Sequence, residues 1–335
     1  MRGGGLAAST RTQETLRYLA SRLLTTLLIV LGAMLLLVTL SAIVPGDPAA
    51  MLLGPQASPE LSRRVIADMG LDQPIHIRMW RFVSNVMVGN LGIDVISGRS
   101  VASMIAAVMP YTLILTFSAI GLAVLTGIPL GIYAATHRGT AMDNLLAFVS
   151  VAFIAVPGFV VAIFLLLVFA IWLDWLPVLG ASRTGEFWDE LRRMILPALA
   201  LALGWIGFIA RLVRTSMLEV MGENYIRTSR AYGLSERLIT YKYALKNACI
   251  PTITILGLGI GRLLGNAVLI EIVFARPGLG RLIYGAISDR NYPVVQGAVL
   301  VVVVLFVLVN LIVDLSYSAI DPRIRHESSR AGAAG

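Results

Sequence analysis

Long apolar stretches alternate with short polar ones along most of the chain. Six of the apolar stretches are long enough, at 1.5 Å of rise per helical residue, to cross about 30 Å of hydrocarbon. They cover roughly 23–44, 105–135, 145–173, 194–210, 248–270 and 291–313. None shows the polar–apolar alternation over about ten residues that marks the strand of a membrane β-barrel. The pattern therefore predicts an all-α membrane protein with six transmembrane helices.

The composition agrees with a helical bundle in a bilayer. The 335 residues are 57% hydrophobic and 14% charged, and their mean hydropathy is +0.83. The 31 glycines, and prolines such as Pro129 and Pro157 inside apolar stretches, are typical of packed and kinked transmembrane helices. The run at 23–44 is too long for the apolar region of a signal peptide, and no small-residue cleavage site follows it. This run is therefore expected to remain as the first transmembrane helix.

The polar segments divide the chain into parts. In order they are an N-terminal segment 1–22, the first transmembrane helix 23–44, a polar loop 45–100, a transmembrane domain 101–320 with five helices and an internal basic loop 211–247, and a tail 321–335.

Within the first polar loop, SPELSRRVIADMGL at 58–71 predicts a short amphipathic helix. Ser58 is expected to be its N-cap, and Gly70 is expected to end it. The loop as a whole is interpreted either as a folded cap on the outer mouth or as a solvated connector.

The basic residues predict which side of the membrane each loop faces. With six crossings, the two termini and the 136–144 and 211–247 loops share one side. They carry 15 Lys and Arg residues, against 11 in the loops of the other side. Because cytoplasmic loops are enriched in Lys and Arg, we expect both termini and the 211–247 loop to be cytoplasmic. The net charge of +8 then reflects membrane topology and gives no indication of a nucleic-acid partner.

Several kinds of chemistry find no support in the sequence. The chain's two lysines, Lys242 and Lys246, do not lie in a G-x-x-x-x-G-K-[ST] loop, so it lacks this means of binding ATP. The three histidines and the single Cys249 do not form a cluster with the spacing of a metal site. No sequence motif of a hydrolase is present. The chain is therefore predicted not to be an enzyme and to bind neither a metal nor a cofactor of its own.

The segment 225–254, YIRTSRAYGLSERLITYKYALKNACIPTIT, interrupts the apolar pattern with a basic, helix-breaking sequence. Gly222 is expected to end the preceding helix, and Asn224 to cap a short new one. Gly233 lies where a left-handed residue would end this short helix, and Ser235 where the next would begin. A helix of about two turns is marginal alone, so it needs a docking surface. The residues alone leave this surface open between the anionic inner leaflet and a protein partner.

Two blocks of this segment resemble the cytoplasmic EAA loop of permease subunits in bacterial ABC importers of the dipeptide, oligopeptide and nickel family, specifically the first of their two membrane subunits. The blocks are YIRTSRAYGLS at 225–235 and ALKNACIP at 244–251. Other blocks match the family in order: PGDPA at 45–49, MGLDQPIHIRMWRFV at 69–83, GNLGID at 89–94, EIVFARPGLGRLIYGAI at 271–287, RNYPVVQG at 290–297 and NLIVDLSYSAIDPRIR at 310–325. One departure is Arg227, which stands where the general EAA pattern has Glu. A Glu-based salt bridge to an ATPase is therefore not carried over.

The resemblance implies a type I ABC importer permease fold and ATP-driven import of peptides or similar small solutes across the bacterial inner membrane. It implies a second, homologous permease, two ATP-binding subunits that hold ATP and Mg, and an extracytoplasmic substrate-binding protein. The short helix would be the coupling helix seated in an ATPase subunit. The contact residues carried over from the match are Tyr225, Arg227, Arg230, Ala231, Gly233, Leu234, Ser235 and Glu236.

Arg262 is the one charged residue deep in a predicted crossing, where a charge is a candidate for function. It could line a translocation path with Asn266 and attract a peptide carboxylate. The favoured alternative is a structural pairing with Asn266, one turn on, or with a carboxylate of a neighbouring helix.

A different functional class, an ion-coupled secondary transporter, would need an acidic residue within the membrane. Glu271 and Asp314 are the candidates, and both lie near predicted helix ends. This position makes the secondary transporter the weaker alternative.

Overall fold

A computed structural model describes the protein over residues 4–43, 58–177, 180 and 186–320. Regular structure within these residues is helical, apart from one isolated antiparallel bridge between Ile93 and Ser100. The all-α prediction is therefore confirmed. The PGDPA block at 45–49 and the tail at 321–335 lie outside the described residues.

The helices, numbered in chain order, are α1 Gly4–Ile43, α2 Pro59–Asp68, α3 Ile75–Met87, α4 Val101–Thr136, α5 Ala141–Ala155, α6 Gly158–Leu165, α7 Phe187–Met221, α8 Asn224–Ala231, α9 Glu236–Leu238, α10 Leu245–Val273, α11 Leu279–Ser288 and α12 Tyr292–Ile320. A π-helical segment, Leu166–Trp172, continues α6. A second one, Ile239–Ala244, joins α9 to α10.

Four of the described helices are long and apolar enough to cross a membrane, namely Ser21–Ile43 of α1, all of α4, all of α7 and Tyr292–Val313 of α12. Two further candidates are bent. Ala141–Ala155 and Gly158–Trp172 meet at 103°, and Glu236–Gly257 and Gly259–Val273 meet at 48°. If each bent pair is one span, the described residues contain six crossings, as the hydropathy pattern predicts.

The bend between α5 and α6 follows from the sequence Val156-Pro157-Gly158. Proline lacks a backbone N–H and disfavours the α conformation in the residue before it. Val156 is accordingly extended, with φ −87° and ψ 124°. Pro157 then becomes the N-cap of α6. The kink that the sequence suggests at Pro157 is therefore present.

One compact unit comprises Met1–Ala107 and Leu282–Ile312. The predicted caps of α2 are confirmed here, because Ser58 Oγ accepts the N–H of Leu61 at 3.2 Å and Gly70 has φ +65°.

A buried carboxylate organises the loop that precedes α4 in this unit. Asp94 accepts hydrogen bonds from the N–H of Ile96 at 3.1 Å, from the N–H and hydroxyl of Ser97, and from the side-chain amide of Asn291. Burial opposes ionisation of Asp94, but these hydrogen bonds together outweigh it and lower the pKa of the carboxyl below its ordinary value. The hydrogen bonds of this loop therefore stabilise the ionised carboxylate of Asp94.

The other compact unit comprises Val108–Arg281 and Val313–Gly335. Its α7 packs against α5, α6 and α10, and glycines allow close approach. A Cβ at Gly131 would lie 2.7 Å from the Ala210 carbonyl oxygen, and one at Gly207 would lie 2.7 Å from the Ser150 carbonyl oxygen. Small residues at such contacts are the usual way in which membrane helices pack tightly.

An ion pair joins the start of α5 to α7. Asp143, with 2% of its side chain exposed, accepts two hydrogen bonds from Arg214, from Nε at 2.6 Å and Nη2 at 2.8 Å. The same carboxylate accepts the N–H of Gly139 at 3.0 Å. Such two-point, charge-assisted contacts fix geometry as well as adding energy. They hold the 136–144 loop against the end of α7 that leads to α8.

We expect Gly207→Ala to destabilise the protein, because the new methyl group meets backbone atoms of α5 that a side-chain rotation cannot move. Overpacking of this kind costs about 1–3 kcal/mol, which exceeds the roughly 1 kcal/mol that Ala gains over Gly in a helix. The measurement is the thermal unfolding midpoint of the detergent-purified protein.

Gly204→Ala on the same helix is the matched control, since the atom nearest its Cβ is the Phe153 carbonyl oxygen at 3.4 Å. This control should be neutral or stabilising. Equal midpoints for the two variants would contradict the proposed close contact at Gly207.

Candidate functional site

The short helix α8 rests on the core of its unit through apolar side chains. Ile226 is fully buried, with 0% exposed, and Leu234 packs against the same core just after the helix. The side-chain amide of Asn247 donates a hydrogen bond to the Tyr225 hydroxyl at 2.8 Å, which ties α8 to α10. The core side of α8 is therefore anchored, and its other side faces outward.

The N-terminal ends of the two short helices differ from each other. The predicted Asn224 cap is wrong, because Glu223 occupies the N-cap position without a side-chain hydrogen bond and Asn224 is the first helical residue. The prediction for α9 is confirmed, since Ser235 is its N-cap and Ser235 Oγ accepts the N–H of Leu238 at 3.4 Å.

A Schellman motif ends α8, and Gly233 is its left-handed residue, as predicted. Gly233 has φ +74° and donates its N–H to the Arg230 carbonyl at 2.9 Å. Leu234 donates its N–H to the Ser229 carbonyl at 3.3 Å. These two bonds satisfy carbonyls that the helix end would otherwise leave open. The reversal at Gly233 turns Leu234 back toward the core.

The outward face of this turn is polar. Arg230 donates to both carboxylate oxygens of Glu236, at 2.7 Å and 3.3 Å, and this hydrogen bond raises the pKa of the Arg230 guanidinium. Both side chains are exposed, so the pair contributes at most about 1 kcal/mol to stability. Its main effect is to brace α8 against α9. Tyr232 projects at the tip with 81% of its surface exposed.

The eight predicted contact residues therefore lie in one connected turn, which we call the coupling turn, 225–236. Leu234 is half-buried, and the other seven are exposed. Sequence reasoning missed the two residues that anchor the turn, Ile226 and Asn247. Ile226 carried a signal, since it is an apolar residue inside a basic segment, whereas Asn247 carried none that points to Tyr225.

A cavity of about 690 Å³ lies among the α5–α6 bend, α7 and α10. Arg262 and Asn266, one helical turn apart on α10, both line it, and both are exposed. The structure thus brings together the two residues predicted for a translocation path and keeps them apart from the coupling turn. Among the described residues, Arg262 forms no hydrogen bond with Asn266 and no ion pair with a carboxylate.

Aromatic packing against a glycine closes one wall of this cavity. The Trp205 ring on α7 lies directly on Gly259, where any Cβ would overlap the indole. Trp205 also meets Phe208 edge to face, with ring centroids 5.8 Å apart. Since Gly259 begins the second half of the bent α10, this contact fixes α10 to α7 at the bend.

Glu271, one of the two acidic candidates for ion coupling, is fully buried and caps a helix, whereas the side chain of the other candidate, Asp314, lies outside what the structure describes. Its carboxylate accepts the Thr112 hydroxyl at 2.6 Å and the N–H of Gly280 at 2.7 Å. Thr112 Oγ1 in turn accepts the N–H of Leu279 at 2.8 Å. A Cβ at Gly278 would overlap the carboxylate. These contacts favour a structural role for Glu271 at the start of α11.

Comparison with known proteins identifies the family. Residues 127–326 match the family described as binding-protein-dependent transport system inner membrane component, and residues 15–116 match its N-terminal component. Glutathione transport system permease protein GsiC of Salmonella paratyphi A is 40% identical over 315 residues, which cover 93% of this chain and 100% of that protein. GsiC of Escherichia coli K12 is 40% identical over 283 residues, which cover 84% and 90%.

The fold also matches solved structures. An inward-facing structure of the MetNI methionine ABC transporter aligns with a TM-score of 0.54 and 20% identity, covering 65% of this chain and 96% of that chain. A second crystal form gives 0.53 and 21%, covering 66% and 97%. The fold is therefore that of a type I ABC importer permease, as the resemblance implies. The chain belongs to the family of binding-protein-dependent transport system inner membrane components and is a membrane-spanning permease subunit of an ABC importer in the peptide and nickel group.

Proposed function

We propose that this permease imports short peptides, glutathione-like peptides among them, with energy from ATP bound and hydrolysed with Mg on separate subunits. The observation that carries the proposal is the 40% identity, over 93% of the chain, to a permease of a glutathione transport system. In the proposed complex this chain pairs with a second homologous permease, rests on two ATP-binding subunits and receives its solute from an extracytoplasmic binding protein. The chain itself holds no cofactor.

The coupling turn is proposed as the contact with an ATP-binding subunit. Its support is geometric, because the turn is anchored on the core side by Ile226 and presents Arg227, Ala231 and Tyr232 on the outside. A protein partner suits the turn better than a lipid surface does. A helix that binds in the headgroup layer needs a broad apolar face, and this turn lacks one.

Motion would pass from the coupling turn to the cavity along α10. Asn247, near the start of α10, holds the turn, and Arg262 lies further along the same helix, beyond its 48° bend. Closure of the ATP-binding subunits would shift the turn, and α10 would carry that shift to the Trp205 contact. This is a two-state element biased by nucleotide, which alternating access requires.

The proposed orientation puts both termini and the coupling turn in the cytoplasm, in the inner membrane of a bacterium. The support is the distribution of Lys and Arg, 15 against 11. The outer side would then hold α2 and α3, where the binding protein would dock.

Uptake should depend on ATP hydrolysis. We expect proteoliposomes that contain the four-subunit complex, the binding protein and internal ATP to accumulate labelled glutathione. Replacing the P-loop lysine in both ATP-binding subunits should abolish accumulation. Uptake that persists without ATP and follows an imposed proton or sodium gradient would refute the proposal in favour of a secondary transporter.

Gly233→Val should uncouple the complex. The Cβ at Gly233 meets nothing within 4 Å, so the effect comes from the backbone alone. A left-handed conformation costs an L-residue about 1–2 kcal/mol, and more when it is β-branched. The turn should therefore relax and lose its shape. We expect normal complex yield, with glutathione uptake and substrate-stimulated ATP hydrolysis both reduced.

Gly233→Asn is the matched control, because asparagine tolerates positive φ at the end of a helix. It should retain most of the activity. Normal transport by a stable Gly233→Val complex would rule out the coupling role of this turn.

A further inference from the structure

The cavity beside α10 has an unbalanced charge. Among its described lining residues, Arg262 is the charged one and Asn266 the amide, and no carboxylate lines the cavity. The other lining residues are apolar, aromatic, glycine or proline, and Phe153, Trp205 and Phe208 are among them. A guanidinium in such surroundings, within a predicted membrane crossing, favours an anionic partner, since a lone charge there is costly.

The two polar side chains have complementary donors for a carboxylate. A guanidinium offers paired N–H groups that match the two oxygens of a carboxylate. An asparagine amide adds further N–H donors. Because residues four apart lie on the same face of a helix, Arg262 and Asn266 can reach one anionic group together.

The location favours a transported solute over a permanent occupant. Two bent spans, α5–α6 at Pro157 and α10 near Gly259, border the cavity. Interrupted helices at membrane depth are tolerated where they line a cavity, and transporters place solutes at such interruptions. The volume of about 690 Å³ lies within the range of roughly 300–1,000 Å³ that small-molecule sites occupy.

We propose that Arg262 and Asn266 bind a carboxylate of the transported peptide inside this cavity, while the aromatic wall around Trp205 contacts its apolar part. This inference rests on the function proposed above. It assigns to these two residues a preference of the permease for anionic solutes. Arg262 is the principal specificity residue, and Asn266 supports the same group.

The test compares uptake of glutathione with uptake of its diamide, in which both carboxylates are carboxamides, by complete complexes with binding protein and ATP. The two uptake rates give a ratio for each variant. The preference of the binding protein is common to all variants, so it cancels when their ratios are compared. The variants are Arg262→Gln, Arg262→Lys and Asn266→Leu, and Arg192→Gln is the matched control because Arg192 is an exposed arginine outside the cavity lining.

We expect Arg262→Gln to lower the ratio of glutathione to diamide uptake about tenfold, the scale of one hydrogen bond to a charged group. Uptake of the diamide should remain ATP-dependent, and complex yield should be unchanged. Arg262→Lys should recover part of the ratio, Asn266→Leu should lower it by a smaller factor, and Arg192→Gln should leave it unchanged.

Two results would overturn the inference without touching the proposed function. One is a well-assembled Arg262→Gln complex with the wild-type ratio. The other is loss of assembly in Arg262→Gln that Arg262→Lys restores with the wild-type ratio, which would assign Arg262 to a carboxylate of the second permease. Failure of the wild-type complex to take up either compound would instead refute the peptide substrate, and this inference with it.

Discussion

A backbone group that leaves a helix and is hidden from water, by lipid or by packed protein, must find another hydrogen-bond partner, and much of this chain is organised by that requirement. At Val156 the chain breaks where Pro157 has no N–H to satisfy. At the start of α11, the N–H groups of Leu279 and Gly280 have no partner within the helix, and they donate instead to Thr112 Oγ1 and to the Glu271 carboxylate. At each of these interruptions, the residues present therefore remove or satisfy the backbone group that the helix leaves without a partner.

The two interruptions serve different purposes in the same unit. The α11 start is sealed by side chains and offers a ligand little access. The α5–α6 break, in contrast, borders a cavity that is also lined by Arg262 of α10, for which the described residues supply no carboxylate. Because α10 also holds the coupling turn through Asn247, one helix connects the surface proposed to meet ATP-binding subunits with the site proposed to meet solute. The helix α10 itself provides this connection, so a separate chain of side-chain contacts between the two sites is not needed.

Local and long-range features of the fold differ in how far the sequence predicted them. Apolar runs predicted the membrane spans, and Ser58, Gly233 and Ser235 predicted helix ends. In each case the residues that carry the pattern lie within a few positions of the structure that they determine. The Asn224 cap failed because the helix begins one residue earlier than expected, with Glu223 in extended backbone at the N-cap position. Contacts such as that of Thr112 with Glu271, 159 positions apart, or the fit of Trp205 on Gly259, depend on tertiary packing that no local pattern encodes.

The ion pair between Arg230 and Glu236 neutralises, within the chain, one of the two arginines on the coupling turn. A protein surface that receives this turn needs no carboxylate to match Arg230, so long-range attraction at the turn is limited to Arg227. Shape and buried area then carry much of the contact, which makes it less sensitive to ionic strength because salt screens charges and not packing. An interface of this kind loses little strength when the ion content of the surrounding solution changes, for example during osmotic stress.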